Sequence, residues 1–403
     1  MGDFYMSPKT VMRMIVCSDI HCKEDVSTEP ERLLKGIGEA YRYADRTDYP
    51  HIDAIFTVGD FANLGTRKEM ETYKSCLDRS LRSETVSVVT MASHEYRHDG
   101  YEGARARFDE IFGQAPDTHT VVNGFHCIAL TTQEACHLWG EKRTWLSGEL
   151  KKAAADGGQK PIFVFQHPHI IDTVYGSKNW GYDDIYAILM DYPQVIDFSG
   201  HSHAPINDPR SVYQKHFTCF GTGSLSYFEL DEFDFIHGTL PPEKEKCAQF
   251  LIVEAYDDGS VRVLPYDILS GKFFHTGAWI KTPFDPDSFV YTDRRYLHPE
   301  KPFFDRETSV QVQASENAAT VTFDAAHSPT ERINAYRLVL KRADTGMILR
   351  QVRITSRYFL YEMPQAYSFT FDGLGPGEYR VEITAEGFWH NASDPLTKDF
   401  AVQ

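Results

Sequence analysis

Asp19-Ile20-His21, Gly59-Asp60, Ser93-His94-Glu95, His167 and Gly200-His201-Ser202-His203 follow one another along this chain. Carboxylates and imidazoles are oxygen and nitrogen donors for divalent cations, and a set in this order suits a two-metal hydrolytic site. One carboxylate shared by two cations holds them about 3.5–4 Å apart, and Asp60 is the best placed residue for that bridge. A water held by both ions loses a proton near neutral pH and can attack phosphorus in line, while the ions stabilise charge on the phosphoryl oxygens. Residues i and i+2 of a strand share a side, so Asp19 with His21, and His201 with His203, can each reach one ion. Gly59 and Gly200 allow the backbone to turn sharply beside the ions. A lone Asp-x-His or His-x-His arises by accident in many chains. The ordered set is a strong signal.

The elements that must position these residues are readable. Val, Ile and Met dominate residues 11–18, a strand that ends at Asp19. Residues 29–46 form a helix with Leu33, Leu34, Ile37, Ala40, Tyr41 and Ala44 along one face. Residues 52–58 form a strand stopping at Gly59-Asp60, 67–83 a second amphipathic helix, and 86–91 a strand stopping before Ser93-His94. Further strands at 125–131, 161–165 and 195–199 surround a helix at 142–155, and the last two lead into His167 and His201. A β-α-β-α-β pattern with donors at the carboxyl ends of strands is where α/β sheets place their chemistry. Residues 249–255 and 261–264 form a hairpin turned at 257–260.

This motif series resembles the calcineurin-like metallophosphoesterase superfamily, whose order is D-x-H, G-D, G-N-H-[E/D], a lone His and G-H-x-H. The match runs through about residues 14–205. The resemblance implies an α/β fold, a four-layer α/β/β/α sandwich over residues 1–270, and a dinuclear centre of two divalent ions. It implies that Asp19, His21 and His203 hold one metal and that Asp60 bridges. His167 and His201 would hold the second with the motif-three residue, and His94 would stay uncoordinated, stabilising the transition state or protonating the leaving oxygen. Motif three departs from the pattern, because Ala92-Ser93 stands where Gly-Asn is usual. A serine hydroxyl is a shorter and poorer ligand than an amide carbonyl, so either Ser93 coordinates weakly or water takes its place. Mixed oxygen and nitrogen donors admit Mn, Fe or Zn.

Other residues near the motifs carry two readings each. His169 either faces the site or is a satisfied loop histidine. Asn63 either contacts a phosphate or caps a helix. Tyr96, His98, Tyr175, Trp180 and Tyr182 either wall a substrate pocket or pack. The His126, Cys127, Cys136 and His137 cluster lacks zinc-site spacing and reads as structural.

Net charge is −17, which argues against a general nucleic-acid binder. Residues 306–403 hold 10 Lys/Arg and 12 Asp/Glu, so residues 1–305 carry −15 of that charge. Seven cysteines without a paired framework fit a reducing compartment. Arg13 interrupts the apolar stretch near the N-terminus and no later run would span a bilayer, so the expected location is the cytoplasm, without membrane attachment. Residues 271–305, rich in Pro and aromatics, read as a tether. From 306 to 403 short alternating strands and the turn Gly375-Pro376-Gly377 before Tyr379 suit a small all-β sandwich with a corner tyrosine. This unit resembles a fibronectin type III or immunoglobulin-like domain, with Phe323 where that fold often has tryptophan. Its residues leave open a role in orienting substrate, oligomer formation or partner contact.

The expected activity is hydrolysis of a small-molecule phosphoester, with a phosphodiester favoured by resemblance to single-domain bacterial relatives. The alternatives are a phosphomonoesterase and a non-catalytic binding protein with a degenerate metal site. An amidohydrolase fits less well, because that family begins with His-x-His and ends with Asp.

Overall fold

The computed structural model describes residues 7–157, 160–231, 240–246, 248–282 and 284–403. Among these the chain divides into two compact units, the first reaching Thr292 and the second starting at Asp293.

The first unit opens with strand β1 (Thr10–Cys17), helix α1 (Thr28–Ala44), β2 (Ala54–Val58), α2 (Arg67–Ser80) and β3 (Val86–Thr90). Helix α3 (Gly100–Phe112), β4 (Thr118–Val122), β5 (Phe125–Leu130), α4 (Glu141–Gly157) and β6 (Ile162–Gln166) follow. Then come β7 (His169–Ile170), β8 (Gly181–Tyr182), β9 (Val195–Ser199), β10 (Val212–Gln214) and β11 (Thr218–Gly221). The unit closes with β12 (Gln249–Tyr256), β13 (Val261–Asp267), β14 (Lys272–Phe273) and β15 (Ala278–Ile280). One sheet has the order β14-β13-β12-β1-β2-β3, with β15 paired to β13, and the other has β10-β11-β9-β6-β5-β4.

Strand alternation builds the layers. Met12, Met14, Val16, Ala54, Phe56 and Val58 of the first sheet share a core with Cys127, Ala129, Phe163, Phe165, Ile196 and Phe198 of the second. Phe56 and Phe165 stack across that interface with centroids 3.9 Å apart. The opposite face of the first sheet, through Ile15, Ile55 and Val89, packs against Leu33, Ile37, Met70 and Tyr73 of α1 and α2. The outer face of the second, through Ile128, Val164 and Val195, packs against Leu146 and Leu150 of α4. Both faces of each sheet are covered, so the central strands read as near-continuous apolar runs. The result is a helix, sheet, sheet, helix sandwich.

Arg13 interrupts the apolar run of β1 and yet is buried. It is tolerated because its guanidinium donates to Glu254 Oε1 at 2.9 Å and to Thr47 Oγ1 at 3.1 Å. Residues 271–305, read from sequence as a tether, supply β14 and β15 to the first sheet, and Phe284 and Phe289 are buried. Helix α3 was not foreseen: only Ala104 and Phe108 are buried along it, and its two glycines weaken the helical signal.

The second unit has two antiparallel sheets. One holds β16 (Val310–Ala314), β17 (Ala318–Asp324) and β20 (Ala366–Asp372). The other holds β18 (Ala335–Arg342), β19 (Ile348–Thr355), β21 (Gly377–Glu386) and β22 (Leu396–Val402). Val321, Phe323, Tyr367 and Phe371 of the first face Leu338, Leu340, Val381 and Ile383 of the second in one core. Tyr379 Oη donates to Gly375 O at 2.6 Å, tying the turn to the strand it feeds.

Candidate metal centre

The site is assembled from loops that follow β1, β2, β3, β6 and β9. Asp19, His21, Asp60, His201 and His203 all have positive φ, between 50° and 73°. A left-handed conformation costs a non-glycine residue on the order of 1–2 kcal/mol, so five together must be held by their surroundings. The loops hold one another. Asp19 N donates to Gly59 O at 3.2 Å, His21 N to Asp60 O at 3.0 Å and Cys22 N to Phe61 O at 2.9 Å. The carbonyl of Asp19 receives Ser224 Oγ at 3.0 Å and Ser226 Oγ at 3.2 Å. Strand β1 ends at Cys17 and β9 at Ser199, so the Asp19/His21 and His201/His203 pairs lie beyond the pleat. Left-handed turns, not strand alternation, bring each pair to one side.

Gly59 is required twice over. Its φ is +79°, and a Cβ there would lie 2.7 Å from both Ala92 Cβ and His167 Nδ1. Glu95, fully buried, ties the second loop to the third. Its carboxylate accepts from the backbone N–H groups of Asp60 at 3.0 Å, Ala62 at 2.8 Å and Ala92 at 2.8 Å.

The side chains converge on two adjoining places. His203 Nε2 is 3.2 Å from Asp19 Oδ1 and 3.1 Å from His21 Nε2. His167 Nε2 is 3.1 Å from Asp60 Oδ2, and its ring centroid is 5.1 Å from that of His201. Asp60 Oδ1 receives His94 N at 2.9 Å, and Ser93 Oγ lies 3.4 and 3.5 Å from its two oxygens. Backbone carbonyls can only accept, so they fix the ring tautomers. His167 Nδ1–H donates to Val58 O at 2.7 Å, His203 Nδ1–H to Tyr227 O at 3.0 Å and His94 Nδ1–H to Asn63 O at 2.8 Å. In the neutral rings each Nε2 is then a lone pair, and those of His167 and His203 face the carboxylates.

Charge is concentrated here. Burial would raise the Asp19 pKa, but His203 and His167 outweigh it and hold the carboxyl well below its usual range. Burial would lower the His167 pKa, but Asp60 and Asp19 outweigh it and push it up to about 10. The His203 pKa is raised too, as Asp19 outweighs burial. Burial lowers the His21 pKa, and it lowers that of His201 to about 4.

Two donor atoms in the middle of this cluster, Asp19 Oδ1 and His167 Nε2, are buried and make no hydrogen bond of good geometry, although each faces a charged partner, His203 Nε2 at 3.2 Å and Asp60 Oδ2 at 3.1 Å. Such atoms are rare and costly unless something else satisfies them. Three-donor groups whose ligand atoms lie within 4.8 Å of one another surround them: Asp19/His21/His203, Asp19/Asp60/His167 and Cys136/His167/His201. This donor set fits divalent cations.

All seven sequence-derived ligand candidates and His94 lie in this cluster. Other candidates separate from it. Both ring nitrogens of His169 are engaged, by Ser199 Oγ at 2.8 Å and Ser202 Oγ at 2.6 Å. Asn63 does not cap α2, because Thr66 does so with Glu69 in a capping box. The Asn63 carbonyl orients His94 instead. Tyr96 Oη bonds Thr132 O at 2.6 Å and packs, whereas the Trp180 ring is 5.2 Å from that of His201. His126 pairs with His119 and Asp156, and His137 with Asp184. Cys136, read as structural, instead reaches the site beside His201, a partner 65 residues away that no local spacing could reveal. Tyr227, 4.3 Å from the His203 ring, and Glu95 were given no role from sequence, although Glu95 follows His94 directly.

Gly59→Ala should destabilise the protein by about 2 kcal/mol and weaken cation binding, since the methyl must displace the His167 ring. Thermal melts and metal titration check both, and an unchanged affinity would contradict the steric account. Cation loading should also depend on pH. His167 and His203 hold protons above their ordinary range until a cation displaces them, so binding tightens as pH rises. Affinity should increase about tenfold per pH unit for each proton released between about pH 6 and 8. Calorimetry in buffers of different ionisation enthalpy reads those protons directly, and pH-independent affinity would count against the assigned protonation.

Several solved structures are similar to this chain. A purple acid phosphatase, PPD1, from seeds of yellow lupin (Lupinus luteus) is 14% identical with a TM-score of 0.49, covering 67% of this chain and 53% of that one, so this chain spans about half its length. PhoD is 10% identical with a TM-score of 0.40, covering 71% and 74%. A redesigned β-sandwich protein is 21% identical with a TM-score of 0.20, covering 25% of this chain and 89% of its own. No curated protein sequence matches the chain. The family profile described as calcineurin-like phosphoesterase matches residues 12–205, the stretch that carries the loops after β1, β2, β3, β6 and β9. Residues 12–205 are a calcineurin-like phosphoesterase domain.

Proposed function

We propose that this protein hydrolyses a phosphoester, with a phosphodiester as the favoured substrate, at a centre of two divalent cations. The observation that carries the reading is the convergence of buried His and Asp donor atoms, with Asp19 Oδ1 and His167 Nε2 at its centre making no hydrogen bond of good geometry. Asp19, His21 and His203 are assigned to one cation and His167 and His201 to the other. Asp60 would serve both positions, since its carboxylate groups with His167 and Asp19 and also with His21. When bound, the cations supply an activated water and offset the charge on the phosphoryl oxygens.

The chain's own groups do the rest. Glu95 and the backbone N–H of His94 hold Asp60 from both sides and fix its orientation. Asn63 O holds His94 with its Nε2 at the site edge, 3.9 Å from Asp60 Oδ2. Because Nδ1 carries the proton of the neutral ring, only the doubly protonated ring can donate from Nε2 to a leaving oxygen. Burial lowers the His94 pKa, so this donor is most available below neutral pH and is lost as pH rises through that value.

The residues from 306 onward are assigned to a fibronectin type III or immunoglobulin-like domain, a reading supported by its three- and four-stranded sheets and the Tyr379 corner. A reducing, cytoplasmic setting is supported by the six described cysteines, all buried and unpaired; Cys247 lies outside the described residues. Among the described residues no helix is long and apolar enough to cross a membrane.

Asp60→Asn should leave the fold intact and reduce turnover of bis-p-nitrophenyl phosphate by at least about a thousandfold. Full activity in that variant would overturn the two-cation reading. His94→Ala should slow diesters with poor leaving groups by about a hundredfold and activated nitrophenyl esters far less. Equal loss on both would remove the acid role. The departure at Ser93 favours one second reading, a binding protein with a degenerate centre. Fewer than two cations per chain with no ester turnover would establish it.

A further inference from the structure

Cys136 lies in the segment between β5 and α4, with its residue 1% exposed and its thiol in no disulfide. Its Sγ is 3.6 Å from Nε2 and 3.7 Å from Nδ1 of His201. Its sulfur and donor nitrogens of His167 and His201 lie within 4.8 Å of one another. His167 Nε2, buried, faces Asp60 Oδ2 at 3.1 Å without a hydrogen bond of good geometry, and so independently points to a ligand shared at this spot. The Ser93 hydroxyl is engaged elsewhere, lying 3.4 and 3.5 Å from the Asp60 carboxylate oxygens and within hydrogen-bond reach of the Cys136 thiol.

We infer that Cys136 is a thiolate ligand of the second cation, alongside His167, His201 and Asp60. The inference rests on the two-cation reading. On binding, the sulfur–cation bond forms as the S–H proton passes to solvent, and no group changes oxidation state. A thiolate adds a soft, negatively charged donor to two imidazoles and a carboxylate. That combination selects zinc, cobalt or iron over magnesium and manganese, which prefer all-oxygen surroundings. The two positions would then differ in metal preference, the Asp19/His21/His203 position accepting harder ions than the one beside Cys136.

The test uses the full chain, stripped of metal and titrated with cobalt(II). Wild-type protein should bind two equivalents, and a thiolate-to-cobalt charge-transfer absorption in the near ultraviolet should accompany only one of them. Cys136→Ala should lose that absorption and bind the corresponding equivalent at least about tenfold more weakly, leaving the other unchanged. Two bound equivalents without the absorption in wild type would overturn the inference while leaving the two-cation centre standing. Persistence of the absorption in Cys136→Ala would overturn it as well, assigning the signal to another cysteine. Fewer than two equivalents in wild type would overturn the two-cation reading and this inference with it. Should Cys136→Ala fold poorly, Cys136→Ser, close to isosteric with the native side chain, supplies the comparison, and it should lose the absorption too.

Discussion

Asp19 and Asp60 are both fully buried, and the charge of Asp60 opposes ionisation of Asp19. Two carboxylates taken out of water in one place demand positive charge nearby, and no Lys or Arg forms an ion pair with either among the described residues. Histidines meet the demand instead. His167 and His203 keep protons above their ordinary range, so the cluster is a set of acids balanced by bases. A divalent cation would replace those protons with a more concentrated charge, so the arrangement that tolerates the carboxylates also suits a metal. Asp19 Oδ1 and His167 Nε2, each beside its charged partner without a hydrogen bond of good geometry, mark where that balance is imperfect.

The rest of the first unit serves that cluster. Two sheets packed face to face place strand ends side by side, and backbone bonds between the loops after β1 and β2 hold the left-handed Asp19, His21 and Asp60. Strain of this kind persists only where neighbours over-determine the conformation. Glu95 is part of that over-determination. Its three backbone donors come from two loops, so it sets the distance between Asp60 and the motif-three segment without reaching the donor cluster itself.

Much of this was legible in the residues. The strands ending at Asp19, Asp60, His167 and His201 were readable because both faces are buried and the apolar runs are continuous. The helices α1, α2 and α4 announced themselves by periodicity. Helix α3, with only Ala104 and Phe108 buried, lacked a stripe to read, and β20 and β22 carry exposed faces that blur into turns. In the site, Asp and His residues stood out by their order along the chain. Cys136 did not, since its neighbours in space are far away in sequence, and the carbonyl of Asn63, which holds His94, carries no side-chain signal. The pairing of Asp19 with His21 followed from spacing, but its cause was a pair of left-handed residues rather than a strand.

The most direct test of the account is anomalous diffraction from crystals of the full chain grown with zinc. The account predicts two peaks about 3.5–4 Å apart, both bound by the Asp60 carboxylate, one flanked by Asp19, His21 and His203 and the other by His167 and His201. A single peak, or two peaks that do not share Asp60, would contradict it.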